Sequence, residues 1–217
     1  MGGDGDGGTS TATDRLGRDV GGAGVITGDG LVLRLPAAGD VARSLELYQD
    51  HDQLSFGMPV GVPVPRTADD LDERMARARE AWDALEPCEL TIASVDAPDR
   101  FLGSISWRRG VAPFLRVVDV GYAVHPDARG HGVAGRALRT FTRWLTAETS
   151  GPRQARVQLD HSVENPASCR TALAAGFEQE GVRRSFLPLR DDAAPGGVRR
   201  HDVCLHGFVP DVVLPAR

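Results

Sequence analysis

The chain of 217 residues contains no lysine, and all 25 of its basic side chains are arginine. A phosphate-binding P-loop needs a Lys directly after its second glycine, so that motif is excluded. We attribute the bias to coding composition rather than to function. Positive charge is in deficit as well. The formal net charge of −5 leaves no basic surface for nucleic acid. Cysteine is scarce: Cys88, Cys169 and Cys204 are an odd number at unrelated spacings. They fit neither a disulfide framework nor a zinc finger, and they suit a reducing cytoplasm, where we expect the protein to work. No apolar run approaches the ~20 residues of a membrane span, so no membrane partner is expected. The first residues lack the apolar stretch of a signal peptide, and Asp6 stands where a myristoylation pattern wants Ser or Thr.

What is present suits one globular domain of ordinary size, with 41% hydrophobic and 25% charged residues. Residues 1–28 are rich in Gly, Asp and Thr and cannot bury enough apolar area to offset chain entropy. We therefore expect a disordered tail over 1–28, a folded domain over 29–208 and a short tail over 209–217. Within the domain, "LVLRL" reads as a strand. Asp40 is placed to cap a short helix that carries Val41, Leu45 and Tyr48 inward. Prolines make "FGMPVGVPVP" irregular. Thr67 and Asp70 resemble a capping box ahead of a helix with Leu71, Met75, Ala78, Trp82 and Leu85 on one stripe, ended by Pro87. "ELTIASV" and "FLGSISWRR" flank the turn "DAPDR" as a hairpin. "VVDVGYAV" at 117–124 reads as a central strand. A helix with Ala134, Leu138, Phe141 and Leu145 on one stripe follows, then a strand at 155–160. Asn165-Pro166 opens a helix that Gly176 closes. Strands at 182–187 and 198–205 complete a single-domain α/β fold with a mixed, mostly antiparallel sheet of about seven strands.

The run Arg129-Gly130-His131-Gly132-Val133-Ala134-Gly135 lies between a strand and a helix. Glycines let the backbone approach a ligand closely. The first amides of a helix lack internal partners and point outward, and the helix dipole adds ~0.3–1 kcal/mol per favourable charge. The combination is an anion site, to which Arg129 can add a charge-assisted bond. A glycine turn that merely ends a strand remains the alternative. A dinucleotide-binding fingerprint fits poorly, because the third glycine arrives at Gly135, one residue early, after hairpin-linked strands.

"VVDVGYAVHPDARGHGVAGRAL" resembles the acetyl-CoA-binding motif of the GNAT acyltransferases, with Arg129, Gly132 and Ala134 at its fixed positions. "ENPASCRTALAAGFEQEGVRRSF" is similar to the second half of that family's core, in the form found in its RimJ/RimL-type branch. The resemblance spans about residues 30–206. It implies a GNAT fold in which the strands at 117–124 and 155–160 splay apart around the pantetheine arm of acetyl-CoA. Val124 and Asn165 would bond that arm, and Arg129, Gly130, His131, Gly132, Val133, Ala134 and Gly135 would hold the pyrophosphate. It further implies direct attack of an amine on the thioester. The usual helix Tyr that protonates the leaving thiolate is replaced by Ala172, and Ser168 is the branch's substitute.

Asp119 is the candidate base: it is the only acid in the apolar strand, where burial would strengthen it. It could equally serve only to hold structure. Ser168 could bond the sulfur or a first-turn amide. Tyr122 reads as packing, and Cys169 as a small packing residue without a His partner. The six histidines show no ligand spacing, so no metal is expected. The acceptor is an amine, a peptide N-terminus or a small molecule such as an antibiotic, and a non-catalytic acyl-CoA-binding regulator is the third reading. The 50–66 segment and the 188–197 loop would wall the acceptor site, with Arg66, Asp69 and Glu73 as candidate contacts or plain surface. Oligomeric state is open, a homodimer included.

Overall fold

The apolar runs pair into one sheet of eight strands in a computed structural model that describes residues 25–147 and 151–210. Most of both expected tails lies outside those residues. The strands are β1 Val25–Gly28, β2 Leu31–Arg34, β3 Glu89–Ser94, β4 Gly103–Arg108, β5 Val117–Val124, β6 Arg156–Ser162, β7 Glu178–Arg190 and β8 Val198–Phe208. Their order across the sheet is β1-β2-β3-β4-β5-β6-β8-β7. Only β5 and β6 run parallel; the other neighbours are antiparallel.

The eighth strand is β1, where the sequence reading placed the end of a disordered tail. The missed signal is Asp29-Gly30. Both residues have positive φ, 50° and 74°, as a two-residue hairpin turn requires. Ile26 is then 2% exposed within the main core.

The helices are α1 Val41–Gln49, α2 Ala68–Asp83, α3 Val133–Thr146 and α4 Pro166–Ala174. In α2 the expected capping box forms: Thr67 Oγ1 accepts from Asp70 N at 3.2 Å, and the Asp70 carboxylate accepts from Thr67 N at 3.0 Å. Asp40 behaves otherwise than expected. Its carboxylate does not cap α1. It accepts two bonds from Arg34, one from Ala37 N and one from Thr91 Oγ1, pinning the start of α1 to β2 and β3. A buried acid is tolerable here because its lone pairs are met and its charge is paired.

The main core lies between α3 and one sheet face, with Leu33, Ile92, Ile105, Val118, Val120, Leu138, Phe141 and Leu159. The inward stripe of α3 is Val133, Ala137, Leu138, Phe141 and Leu145; Ala134, expected among them, is only half-buried. Trp82 of α2 stacks on Trp144 of α3 with ring centroids 5.2 Å apart. A smaller cluster of Tyr48, Met58 and Leu71 joins α1 to α2. The long edge strand β7 is guarded by two register shifts and by arginines, the usual protection of an open edge.

Ile26→Ala should cost about 2–5 kcal/mol, the range for truncating a fully buried Ile. Urea unfolding measures this. A loss near zero would mean that β1 is not docked.

Candidate active site

β5 and β6 pair over three positions only: Val117 with Arg156, Val118 with Val157 and Asp119 with Gln158. Beyond Asp119, β5 keeps its antiparallel partner β4 as far as Val124, and β6 keeps β8 as far as Ser162. The two parallel strands therefore part, and five residues of β5 present one unpaired edge to a gap. Such backbone needs partners from elsewhere, and an amide-bearing ligand can supply them. Val124 sits at the mouth of this gap. Its carbonyl accepts from Arg129 Nε at 3.1 Å, which uses one of its two lone pairs.

The glycine turn stands at the same mouth. Gly130 and Gly132 have φ of 78° and 68°, and an added Cβ at either would meet nothing within 4 Å. Their bareness is required by backbone conformation and by open space in front, not by crowding. Gly132 is the residue ahead of α3, and the first bond into the helix runs from Arg136 N to Gly132 O at 3.1 Å. The amides of Val133, Ala134 and Gly135 therefore have no helical acceptor. Val133 is buried and anchors the helix start, whereas Gly130, His131 and Gly132 are exposed.

The side chain of Arg129 is otherwise engaged. Its guanidinium binds the carboxylates of Asp50 and, at 3.1 Å, of Asp52, both beyond the end of α1. Burial works to raise the Asp50 carboxyl, but the Arg129 hydrogen bond and charge outweigh it and hold the group below the usual range. An incoming pyrophosphate would compete with two acids for this guanidinium, while the amides stand free. A second clasp fixes the turn from below. His125 bridges Glu46 at 3.0 Å and Asp127 at 2.8 Å. Asp127 also binds Arg43 and Arg100, and the Arg43 hydrogen bond leads in holding its carboxyl well below the ordinary value.

On the far side of the gap, Asn165 caps α4, its side chain accepting from Ser168 N at 3.1 Å. Ser168 is buried, and its hydroxyl lies 2.9 Å from the Tyr122 hydroxyl. Tyr122 is thus more than packing: it reaches across from β5 to α4. Burial pushes its phenol above the ordinary value, against a smaller opposite pull from Ser168.

Asp119 occupies the other face of β5, since strand side chains alternate. Its side chain is 13% exposed; it accepts from Gln158 Nε2 at 2.8 Å and lies 3.9 Å from Arg108 Nε. Gly110 crowds it so closely that a Cβ there would stand 2.1 Å from Oδ2. Arg108 continues to Asp160 at 3.7 Å and forms part of the wall of an open cleft of about 740 Å³. That cleft runs beneath Val62–Pro65 and along α2, past Glu73, Arg74 and Arg77. The 50–66 segment and the start of the 188–197 stretch do meet: Val60 N donates to Pro188 O at 2.9 Å. Asp69 and Arg66 are exposed, and the backbone of Arg66 donates to Asp70.

The fold also brings together what spacing did not show. Cys169 Sγ lies 3.7 Å from His206 Nε2, and the rings of His161 and His206 stack at 5.1 Å. No local pattern links residues on β6, α4 and β8, so only a folded chain shows this cluster.

A sheet parted at its parallel pair, with bare amides at a helix mouth, suits a ligand with an amide-bearing arm and an anionic end. The family model described as "Acetyltransferase (GNAT) domain" matches residues 30–178. The chain belongs to the GNAT acetyltransferases. Among curated proteins no sequence matches. The fold is shared with the ribosomal-protein-S5-alanine acetyltransferase from Vibrio fischeri, at TM-score 0.71 and 16% identity over 88% of this chain and 99% of that one. It is shared too with Mycobacterium smegmatis RimJ in complex with CoA-disulfide, at TM-score 0.69 and 19% identity over 89% of each chain. The microcin C7 self-immunity acetyltransferase MccE, in complex with acetyl-CoA and AMP, gives TM-score 0.64 and 18% identity over 84% of this chain and 94% of that one.

The Tyr122–Ser168 bond is testable by a double-mutant cycle on stability. Tyr122→Phe and Ser168→Ala should be coupled by about 0.5–1.5 kcal/mol, the net range for one hydrogen bond. Additive losses would show that the two hydroxyls do not interact.

Proposed function

We propose that the protein moves an acetyl group from acetyl-CoA to a primary amine, and that the amine is a protein N-terminus. The observation that carries this is the parting of β5 from β6 directly after Asp119, with unpaired amides at its mouth. The pantetheine arm enters the gap and bonds Val124 on one side and Asn165 on the other. The pyrophosphate rests on the amides of Gly130 to Gly135. Support comes from neighbours of the same fold that carry CoA or acetyl-CoA. Two neighbours of the same fold are acetyltransferases of ribosomal proteins, S5 and L7/L12. The acceptor cleft is long and open, lined by both charge signs, which suits an extended peptide end better than an enclosed small molecule.

The chemistry divides between the two faces of β5. An amine attacks the thioester carbonyl carbon, the C–S bond breaks, and the nitrogen sheds a proton. Asp119, on the cleft face, accepts that proton directly or through water. An α-amine, with a reference pKa near 8, asks little of such a base; a lysine amine near 10.4 asks much more. On the α4 face, Ser168 donates to the departing thiolate, and Tyr122 donates to Ser168. Because burial raises the phenol, Tyr122 keeps its proton near neutral pH and remains a donor. Ala172, where relatives carry a Tyr, is fully buried, and the Tyr122–Ser168 pair replaces that acid.

The decisive assay is thiol release from acetyl-CoA with N-terminal peptides, polyamines and aminoglycosides as acceptors. Turnover confined to peptides is expected. Turnover confined to small amines would move the protein to the small-molecule class, as the likeness to MccE allows. CoA binding without any turnover would make it a regulator.

Two variants test the assigned parts. Gly132→Val places a side chain in front of the free amides, and CoA affinity by calorimetry should fall at least ~10-fold. Unchanged affinity would remove the pyrophosphate site. Asp119→Asn keeps the shape but cannot take a proton, so kcat should drop about 10²-fold with CoA affinity intact. Raising the pH should restore part of the rate, because the acceptor then deprotonates unaided. Lost thermal stability with an unchanged pH–rate profile would instead make Asp119 a structural residue.

A further inference from the structure

Behind α4, away from the glycine turn, three side chains with metal-binding atoms converge. His161 of β6, Cys169 of α4 and His206 of β8 each bring one ligand atom within 4.8 Å of the other two. The register explains the convergence. His161 pairs with Cys204 and Leu159 with His206, so the two imidazoles are diagonal neighbours on one sheet face. Cys169 comes down onto that face from the first half of α4.

The cluster is buried and under-satisfied. His206 is fully buried and His161 is 6% exposed. His161 Nδ1 lies 2.8 Å from the Ser162 carbonyl, which must accept, so the ring proton is on Nδ1 and Nε2 is a lone pair. That Nε2 has no partner among the described residues, and neither has His206 Nδ1. A buried lone pair at His161 Nε2 is costly unless something occupies the space beside it, and His206 turns its own Nε2 to Cys169 Sγ.

One edge of the cluster already suits a tetrahedral cation, and the others, within 4.8 Å, need His161 to draw in. Bonds of ~2.0–2.1 Å to nitrogen and ~2.3 Å to sulfur set a nitrogen–sulfur edge of roughly 3.5 Å. The observed edge between Cys169 and His206 is 3.7 Å. One thiolate and two imidazoles are soft to borderline donors, which favours zinc and disfavours magnesium or calcium.

We propose that His161, Cys169 and His206 bind one Zn2+ ion. The ion takes two imidazole lone pairs and the Cys169 thiolate; the thiol proton leaves to solvent, and water fills the fourth position. Cys169 is the half-exposed member and marks the way in. The site would tie α4 to β6 and β8 one residue from Ser168, and so fix the hydroxyl that faces Tyr122. Its occupancy can be measured without the acceptor or the acyl donor.

The test uses the full chain, untagged and stripped of metal with a chelator. Titration with Co2+ should reach one equivalent, with the thiolate-to-metal charge-transfer absorption and the strong visible bands of tetrahedral cobalt. Zn2+ should displace it, releasing about one proton per ion in calorimetry run in buffers of different ionisation enthalpy. Free Zn2+ at about 100-fold above its Kd should raise the unfolding midpoint by roughly 5–10 °C. Cys169→Ser alters a half-exposed side chain, so it should fold with an unchanged metal-free midpoint. It should lose the charge-transfer band and bind Zn2+ at least ~10-fold more weakly. His161→Gln should weaken binding likewise, and Cys88→Ala should not. Absence of the charge-transfer band in the wild type would overturn the proposal. So would a Cys169→Ser variant that binds as tightly as the wild type.

Discussion

The constraint on which the structure depends is the shortness of the β5–β6 ladder. A parallel pair that stops after three positions leaves backbone polar groups open inside an otherwise closed sheet. Left alone, such a gap would fill by sliding the strands together. Two anchors prevent this. The antiparallel partners hold β5 from Asp119 to Val124, by β4, and β6 from Val157 to Ser162, by β8. The helix α3 crosses between them and packs Leu138, Phe141 and Leu145 into the core below the gap. The opening is therefore built into the strand pairing, and an empty site does not have to be paid for by local unfolding.

The rim of that opening is held from α1 rather than from the sheet. Arg129 reaches to Asp50 and Asp52, and His125 to Glu46. Arg43 and Arg100 converge on Asp127. Between Arg129 and the buried Val133 the turn offers only Gly130, Gly132 and an exposed His131, so these pairs brace it from its flank. Exposed pairs are individually weak, but a network around one turn limits its freedom collectively. The same arrangement joins the glycine turn to the cleft, since the segment after α1 leads into its wall.

Legibility in the sequence followed locality. The glycine turn, the Asn165-Pro166 helix start, the Thr67 capping box and the closing Gly176 each depend on a few adjacent residues, and the folded chain has them where the pattern put them. Asp29-Gly30 was equally local, yet the composition of the preceding residues masked it, and the strand at Val25–Gly28 was assigned to the tail. Contacts across elements were not legible. Nothing near Asp40 announces Arg34 and Thr91, nothing near Tyr122 announces Ser168, and the cluster of His161, Cys169 and His206 joins three elements far apart in the chain. Asp119 shows the boundary well. Its place in the strand was readable, but its bond to Gln158 and its confinement by Gly110 were not.

The ion pairs made by Arg129, Arg43 and Arg100 share one chemistry: their cation is a guanidinium. With no lysine in the chain, no side chain offers an ε-amine. A guanidinium stays charged and non-nucleophilic at the alkaline pH where amines become reactive. The arginine clasps beside the glycine turn therefore offer an activated acyl group no amine to modify. The bonds that brace this turn thus keep their charge at the alkaline pH where a lysine amine would lose its own.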